Sequence, residues 1–455
     1  MSMESCRDEI VAKIVAAVQG FFADAKEWPE GNRLYVAEYR AWRLAQEMAR
    51  RLLQGWLDSL HGGHCGPRQV DAQGVEREFK QYVDKGVRSL VGEVVVKAAQ
   101  YHKAGETPSS VYPLREKLGV GEGEYSRGME EVIALGGVQE VFRDGLVLVN
   151  RLTGANVSPS KAAATTAAWG TEAKAQTLAA EERAETPAER IAATLPIPGL
   201  RMCVTTDGVM VQTTEGWREV KLMAAYAFGG EGHKVGGAVY GGTLHYEADY
   251  SRMLWRLMEE TRASRAEILI WLGDGAAWIR SQAMLLAPQA VMIVDFYHAS
   301  DHLWTVGRSL HSGAGGEAAA KRWVHKWIRN LYNGKVDALL RELTAQETRL
   351  GEPPPDCPND DPRKVLADAV GYFTRNAPRM RYAEYRAKGY PIGSGVAESS
   401  CRHLVGLRMR RTATMTWREA NAEAMVQLRC IRASGNWDRF WGVDKLWEFI
   451  HPKAA

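Results

Sequence analysis

Apolar residues recur at helical spacing near the start of the chain, first as Ile10, Ile14, Val15, Val18 and Phe22 and then as Tyr35, Tyr39, Trp42, Leu52 and Trp56. This predicts two amphipathic helices within residues 3–60. His61-Gly-Gly-His64-Cys65-Gly-Pro breaks the pattern, and the β-branched run in 89–101 reads as a strand. Residues 126–170 have a helix-turn-helix look. A helical pattern ends near Leu152, a turn follows at Thr153–Asn156, Ser158 caps a new helix with Pro159 at its first position, and Gly170 is placed to close it. Thr186-Pro187-Ala-Glu189 reads as a capping box in a polar helical linker.

After Gly199 the period changes from helical to alternating. MCVTTDGVMV (202–211) reads as two short β runs around a hairpin at Asp207-Gly208, and 220–228 and 235–243 supply further strands. A helix is expected over 247–262. The strand 268–272 then ends at Gly273-Asp274-Gly275, a helix runs to Leu286, and the strand 290–294 ends at Asp295. Residues 300–350 are helical and rich in Trp and basic residues, 351–362 form a Pro-rich loop, and helix resumes after it. Tyr390-Pro391-Ile-Gly393-Ser394-Gly395 is a break from which Ser394 can cap a helix carrying Glu398. Thr416-Trp-Arg-Glu419 reads as a capping box for the last long helix.

The expected architecture is an α/β core of ribonuclease-H-like order with a mixed sheet and an all-α insertion. Before it stands a mainly α N-terminal region that contains the helix-turn-helix-like segment. Five segments follow from this reading: 1–105, mostly helical with a short β segment; 106–195, helix-turn-helix and linker; 196–300, the first part of the core; 301–390, the helical insertion; and 391–455, the second part of the core with the Glu helix and basic helices.

Composition changes this picture little. The chain has 455 residues with 45% hydrophobic and 25% charged, enough to bury a core without cross-links. The six cysteines form no close pairs, which fits a reducing compartment. No signal-peptide layout and no membrane-length apolar run are seen, so a cytoplasmic protein is expected. The net charge of +3 predicts no partner, but twelve Arg or Lys against four Glu from Arg375 to Arg432 mark a candidate footprint for a polyanion.

The chemistry rests on three acids. Asp207 and Asp274 lie at predicted strand ends and Glu398 in the first turn of a helix. Acids at the strand ends of an open α/β sheet converge on one edge, and three carboxylates suit hard cations such as magnesium. Two such ions, about 3.5–4 Å apart, activate an attacking oxygen and stabilise a leaving one in phosphoryl transfer. Each acid alone is weak evidence, because Asp-Gly is usually a turn and a helix-start Glu usually answers the helix dipole.

The segment YPIGSGVAESSCRHLVGLRMR resembles the glutamate motif of bacterial insertion-sequence transposases of the Kra group, within the Mutator-like DDE superfamily. Gly393-Ser394-Gly395, Glu398 and Arg408-Met409-Arg410 carry that resemblance. LGDGAAWI with Asp274 and TTDGVMVQ with Asp207 resemble the two aspartate motifs, and Asp295-Phe-Tyr-His298 matches a Mutator-type Asp-x-x-His signature. The resemblance is strongest over 200–300 and 385–440.

It implies a DDE transposase that cuts DNA at insertion-element ends and joins the freed 3′-hydroxyl to target DNA, using two magnesium ions or manganese in their place. Asp207, Asp274 and Glu398 would hold the metals, with Asp295 and His298 beside them. His298 either contacts the scissile phosphate or braces Asp295. Arg402, Arg408, Arg410, Arg411 and Lys161 are the candidate DNA contacts, and a homo-oligomer acting on DNA is expected. The Trp residues of the insertion read as core before they read as base-stacking platforms.

Two departures stand out. The family's paired N-terminal cysteines are missing, and His61, His64, Cys65 and His102 lack zinc-site spacing, which argues that the site is lost. No glycine turn follows Arg410. A catalytically silent DNA-binding descendant and a ribonuclease-H-like nuclease without strand transfer are the competing readings.

Overall fold

The structure is a computed structural model that describes residues 3–179, 195–313, 316–393, 395–412 and 414–444. The chain divides into two compact units, 1–166 and 167–455. The linker motif at 186–189 and the capping Ser394 fall outside the described residues.

The first unit begins with the two expected helices, α1 (Met3–Asp24) and α2 (Arg33–Ser59). The expected short β segment is instead a whole sheet. Strands β1 (Arg68–Val70), β2 (Glu76–Ser89), β3 (Gly92–His102) and β4 (Ser110–Val111) form a four-stranded antiparallel sheet. Strand β2 was hidden because its charged side chains run together, as in Glu76-Arg77-Glu78 and Asp84-Lys85, and it lacks the β-branched run of β3. Leu57, Val87, Val94 and Val96 form the core between α2 and the sheet.

After the short helix α3 (Pro113–Lys117) come α4 (Arg127–Gln139) and α5 (Phe142–Thr153). Helix α6 (Pro159–Ala179) then carries the chain across the division between the units. Helix α5 ends at left-handed Gly154, and the Ser158 hydroxyl accepts from the Lys161 amide, as the turn residues predicted. Gly170 does not end α6. A Cβ there would lie 2.2 Å from the Ala424 carbonyl oxygen, so this glycine allows a close helix crossing.

The second unit is built on a five-stranded mixed sheet. Its strands are β5 (Ile197–Thr213), β6 (Gly216–Phe228), β7 (Lys234–Thr243), β8 (Ala266–Gly273) and β9 (Val291–Val294). The spatial order is β7-β6-β5-β8-β9. Strand β6 runs antiparallel to β5 and β7, while β5, β8 and β9 are mutually parallel.

The expected hairpin at Asp207-Gly208 is absent. β5 runs unbroken through both residues, pairing Asp207 with Leu222 and Gly208 with Lys221, and it turns only at Thr213–Gly216. Alternating apolar and β-branched residues on both sides of Asp207 hold the strand, and Gly216 (φ 105°) supplies the turn. Gly208 instead makes room for a neighbour, since a Cβ there would overlap the Glu219 carboxylate.

The sheet is covered on both faces. Met202, Val204, Met223, Leu269 and Trp271 face helices α7 (Ser251–Glu260) and α8 (Ala277–Leu286). Residues one step out of phase, Cys203, Tyr226, Ile270 and Leu272, face a helical layer. That layer comprises α9 (Phe296–Leu310), α10 (Gly316–Tyr332), α11 (Val336–Leu350), α12 (Pro362–Asn376) and α13 (Tyr382–Ala387). The insertion is therefore one face of the core, and Trp327 is buried in it with Trp304 and Trp323 packed alongside.

The chain closes with α14 (Gly395–Ser400), a π-helical turn over Cys401–Gly406, α15 (Leu407–Met409), α16 (Glu419–Ala433) and α17 (Trp437–Trp441). The capping box expected at Thr416 does not form. Trp417 instead pairs with the end of β5, its amide donating to the Gln212 carbonyl and its own carbonyl accepting from Thr214. No described helix is long and apolar enough to cross a membrane.

Candidate functional site

The register of the three parallel strands aligns the aspartates. Thr205 pairs with Leu272, and Gly273 pairs with Val294. Continued past these last pairs, the same register sets Asp207 beside Asp274, and Asp274 beside Asp295. Neighbouring strands lie about 4.8 Å apart, so three acids stand in a row, Asp274 and Asp295 just past the carboxyl ends of β8 and β9 and Asp207 inside β5, which runs on to Thr213.

Each acid is held differently. Asp207 Oδ1 accepts from the Gly208 amide at 2.7 Å, and Oδ2 accepts from the Cys401 thiol at 3.3 Å. Burial pushes the Asp207 carboxyl above its usual range, and the nearby Asp274 charge adds to this, while the thiol and amide donors and His298 pull it back. Asp274 makes an Asx turn, Oδ1 accepting from the Ala276 amide at 2.7 Å. Its carbonyl oxygen accepts from the Tyr372 hydroxyl at 2.9 Å, which ties the β8 end to helix α12.

Asp295 is 4% exposed and caps α9, its carboxylate accepting from the backbone amide of His298 at 2.8 Å. The Asp-x-x-His spacing is thus a helix cap made through the His298 backbone amide. The His298 ring is exposed and stands with its centroid 5.2 Å from that of His302. His302 stacks on Tyr372 at 3.9 Å, and burial holds its imidazole below the ordinary histidine range.

Glu398 is exposed on α14, and Cys401 lies one turn further on. The Cys401 thiol is pushed up by burial and then by Asp207, with Glu398 contributing, so it stays protonated and donates. Cys401 was not singled out from the sequence, although its i+3 position after Glu398 was visible.

No Lys or Arg pairs with Asp207, Asp274 or Glu398 among the described residues. A half-buried carboxylate row without a basic partner, supplied with oxygen donors only, fits a hard divalent cation. Among the described residues no three His, Cys, Asp or Glu side chains are already gathered about one point. Glu398 is exposed and makes no ion pair among the described residues.

The candidate DNA contacts divide. Arg402, Arg410 and Arg411 are exposed, and Arg410 lies 5.7 Å from the Trp217 ring. Arg402 begins the π-helical turn with Cys401, so the α-helical spacing that would stack it over Glu398 does not hold there. Arg408 is only 3% exposed and lies over Trp417 at 5.2 Å, so it is a packing residue rather than a surface phosphate contact. The reason is the pinning of Trp417 to β5, which covers it. Lys161, in the first unit, is exposed but ion-paired with Glu124 at 2.9 Å.

The N-terminal His and Cys residues are engaged separately. His64 packs edge-on against Phe79, the Cys65 thiol donates to the Gly63 carbonyl, and His102 bonds Ser110. No family model matches the chain, and no curated protein matches it in sequence.

Proposed function

We propose that this chain is a DNA-cutting and DNA-joining enzyme of the DDE transposase type, built on a ribonuclease-H-like core. The observation that carries the reading is the row Asp207–Asp274–Asp295 across three parallel strands, with the Glu398 helix tied to Asp207 through Cys401. Support for the core assignment comes from the strand order, in which the first strand is central, only the second is reversed, and the fourth and fifth extend the sheet on the far side.

Asp207, Asp274 and Glu398 would hold the metal ions. Bound magnesium or manganese would activate the attacking oxygen and stabilise the leaving one at the scissile phosphate. The protein's own work is positioning. Two carboxylates stand side by side on adjacent strands, and Tyr372 fixes the backbone of one of them. His298, exposed beside the row, can donate to a phosphate oxygen. Asp295, already committed to capping α9, orients the helix that presents His298.

The test is nicking of DNA carrying the terminal repeats that flank the gene, with magnesium or manganese, followed by a joining assay on pre-cut ends. Asp207→Ala and Glu398→Ala should each abolish nicking. Undiminished nicking in either variant removes the assignment, and nicking without joining leaves a nuclease.

A further inference from the structure

A cleft of about 760 Å³ opens beside Asp274. Arg280 on α8, Arg375 on α12 and Arg379 in the turn after α12 line it together with His298, and among the described residues Asp274 is the only acid that lines it. Arg280 and Arg375 are exposed and Arg379 is half-buried. Among the described residues none of the three is ion-paired with a carboxylate. Arg379 donates to the side chain of Asn376, itself 1% exposed, which anchors that guanidinium on the cleft wall.

Arg280 and Arg379 lie close enough to repel, and Arg375, whose guanidinium rests over Gly371, lines the same cleft. Such an arrangement costs repulsion in the empty protein, and burial and the neighbouring Arg280 both weaken the hold of Arg379 on its proton. Planar guanidinium forks match phosphate oxygens in two-point contact. The volume is that of a small-ligand site and is too small for a duplex. Exposed Met284 adds an apolar wall on which a base can rest.

We infer that this arginine cleft holds the phosphodiester backbone of a single DNA strand next to the phosphate that reacts at Asp274. The inference rests on the metal-site reading above, but binding can be measured without metal or cutting. The experiment is fluorescence anisotropy with a short single-stranded DNA oligonucleotide in EDTA, over a range of salt concentrations. Each lost phosphate contact lowers the log–log salt slope by about 0.7 for a single strand.

Arg280→Ala/Arg375→Ala should weaken binding at least about tenfold and lower the slope by about 1.4. Both positions are exposed, so the fold tolerates the change, and Arg280→Lys/Arg375→Lys should restore most of the slope. Asp274→Asn should bind the strand as tightly as the unsubstituted chain or more so. An unchanged slope in the alanine variant overturns the inference. So does duplex DNA, or an RNA strand of the same sequence, binding more tightly than single-stranded DNA with the same arginine dependence. Arginine-dependent binding in a chain that never nicks DNA would sink the catalytic reading and leave the cleft standing.

Discussion

The thiol of Cys401 donates to the carboxylate of Asp207 at 3.3 Å, joining residues 194 positions apart in the chain. This bond links the Glu398 helix to the central strand, so the two ends of the carboxylate site are coupled through a residue that is itself not an acid. Cys401→Ala should lower stability by about 1 kcal/mol, read by denaturant unfolding, and Cys401→Ser should lose less because a hydroxyl still donates. The alanine variant also removes a donor that favours ionised Asp207. Its magnesium midpoint, read by thermal shift, should therefore move to higher concentration at a fixed pH near neutral. Equal midpoints in the two variants would count against the coupling.

Asp207 carries a second prediction, in which the sign matters. Burial raises its folded pKa, so its contribution to stability is full below the unfolded carboxylate value of about 3.9 and is lost as pH rises through the folded value. At neutral pH the metal-free chain holds a half-buried charge at a cost. Asp207→Asn should then melt higher than the parent without metal, by about 2–4 °C per kcal/mol recovered. With magnesium the order should reverse, because only the parent gains from binding. Calorimetry with and without metal at pH 7 checks both halves, and a parent chain that magnesium leaves unmoved removes the metal site.

How far this site was legible in the sequence depends on what positions each residue. The apolar runs of β8 and β9 and the positions of Asp274 and Asp295 just past their ends are local properties, and they were readable, whereas Asp207, read as a strand end, lies inside β5. Lateral register was not, so the alignment of Asp207 with Asp274 and Asp295 had to come from the structure. Asp207-Gly208 read as a hairpin because Asp-Gly favours turns. The glycine is there because the Glu219 side chain crosses it, a contact between strands that no local pattern reports. The arginine cleft was not read: Arg375 entered only as the start of the basic 375–432 stretch, and Arg280 comes from a distant element and gives no local sign of joining it.

Arg408 shows the same limit in a testable form. Within Arg-Met-Arg-Arg it read as a phosphate contact, yet it is buried over Trp417 while Arg410 is exposed. Arg408→Ala should cost on the order of 2–4 kcal/mol of stability, since it empties the buried space that the side chain fills over Trp417. Arg410→Ala should change stability by less than about 0.5 kcal/mol and should act, if anywhere, on DNA affinity and its salt dependence. Urea unfolding of both variants beside a binding isotherm separates the roles.

His302 sets a pH dependence of the insertion. Burial first, and then the nearby His298, lower its folded pKa, so the unfolded chain takes up the proton before the folded one does. Its contribution is complete above the unfolded value of about 6.5 and is lost as pH falls below it, until the folded value is reached. The slope cannot exceed about 1.36 kcal/mol per pH unit for one proton. His302→Phe keeps a ring against Tyr372, which it meets at 3.9 Å, and removes the titration. Unfolding free energies between pH 7.5 and 5 should fall less steeply in the variant than in the parent.

Gly275 tests whether the backbone around Asp274 is fixed by the insertion. Its φ is 96°, in the region that favours glycine, and a Cβ there would sit 2.9 Å from Asn376 Nδ2 and 3.0 Å from Oδ1. Asn376 is 1% exposed and holds Arg379, so it cannot simply swing aside. Gly275→Ala should therefore cost about 1–3 kcal/mol from backbone strain, with the overlap adding to it. Asn376→Ala in the same chain relieves the overlap but not the strain, so the double variant should be more stable than the sum of the single losses predicts. The two effects part at the site: strain alone displaces Asp274 and weakens metal binding in both the single and the double variant. If the double variant regains full metal affinity, the conformation of Gly275 is not what positions Asp274, and contact with Asn376 is.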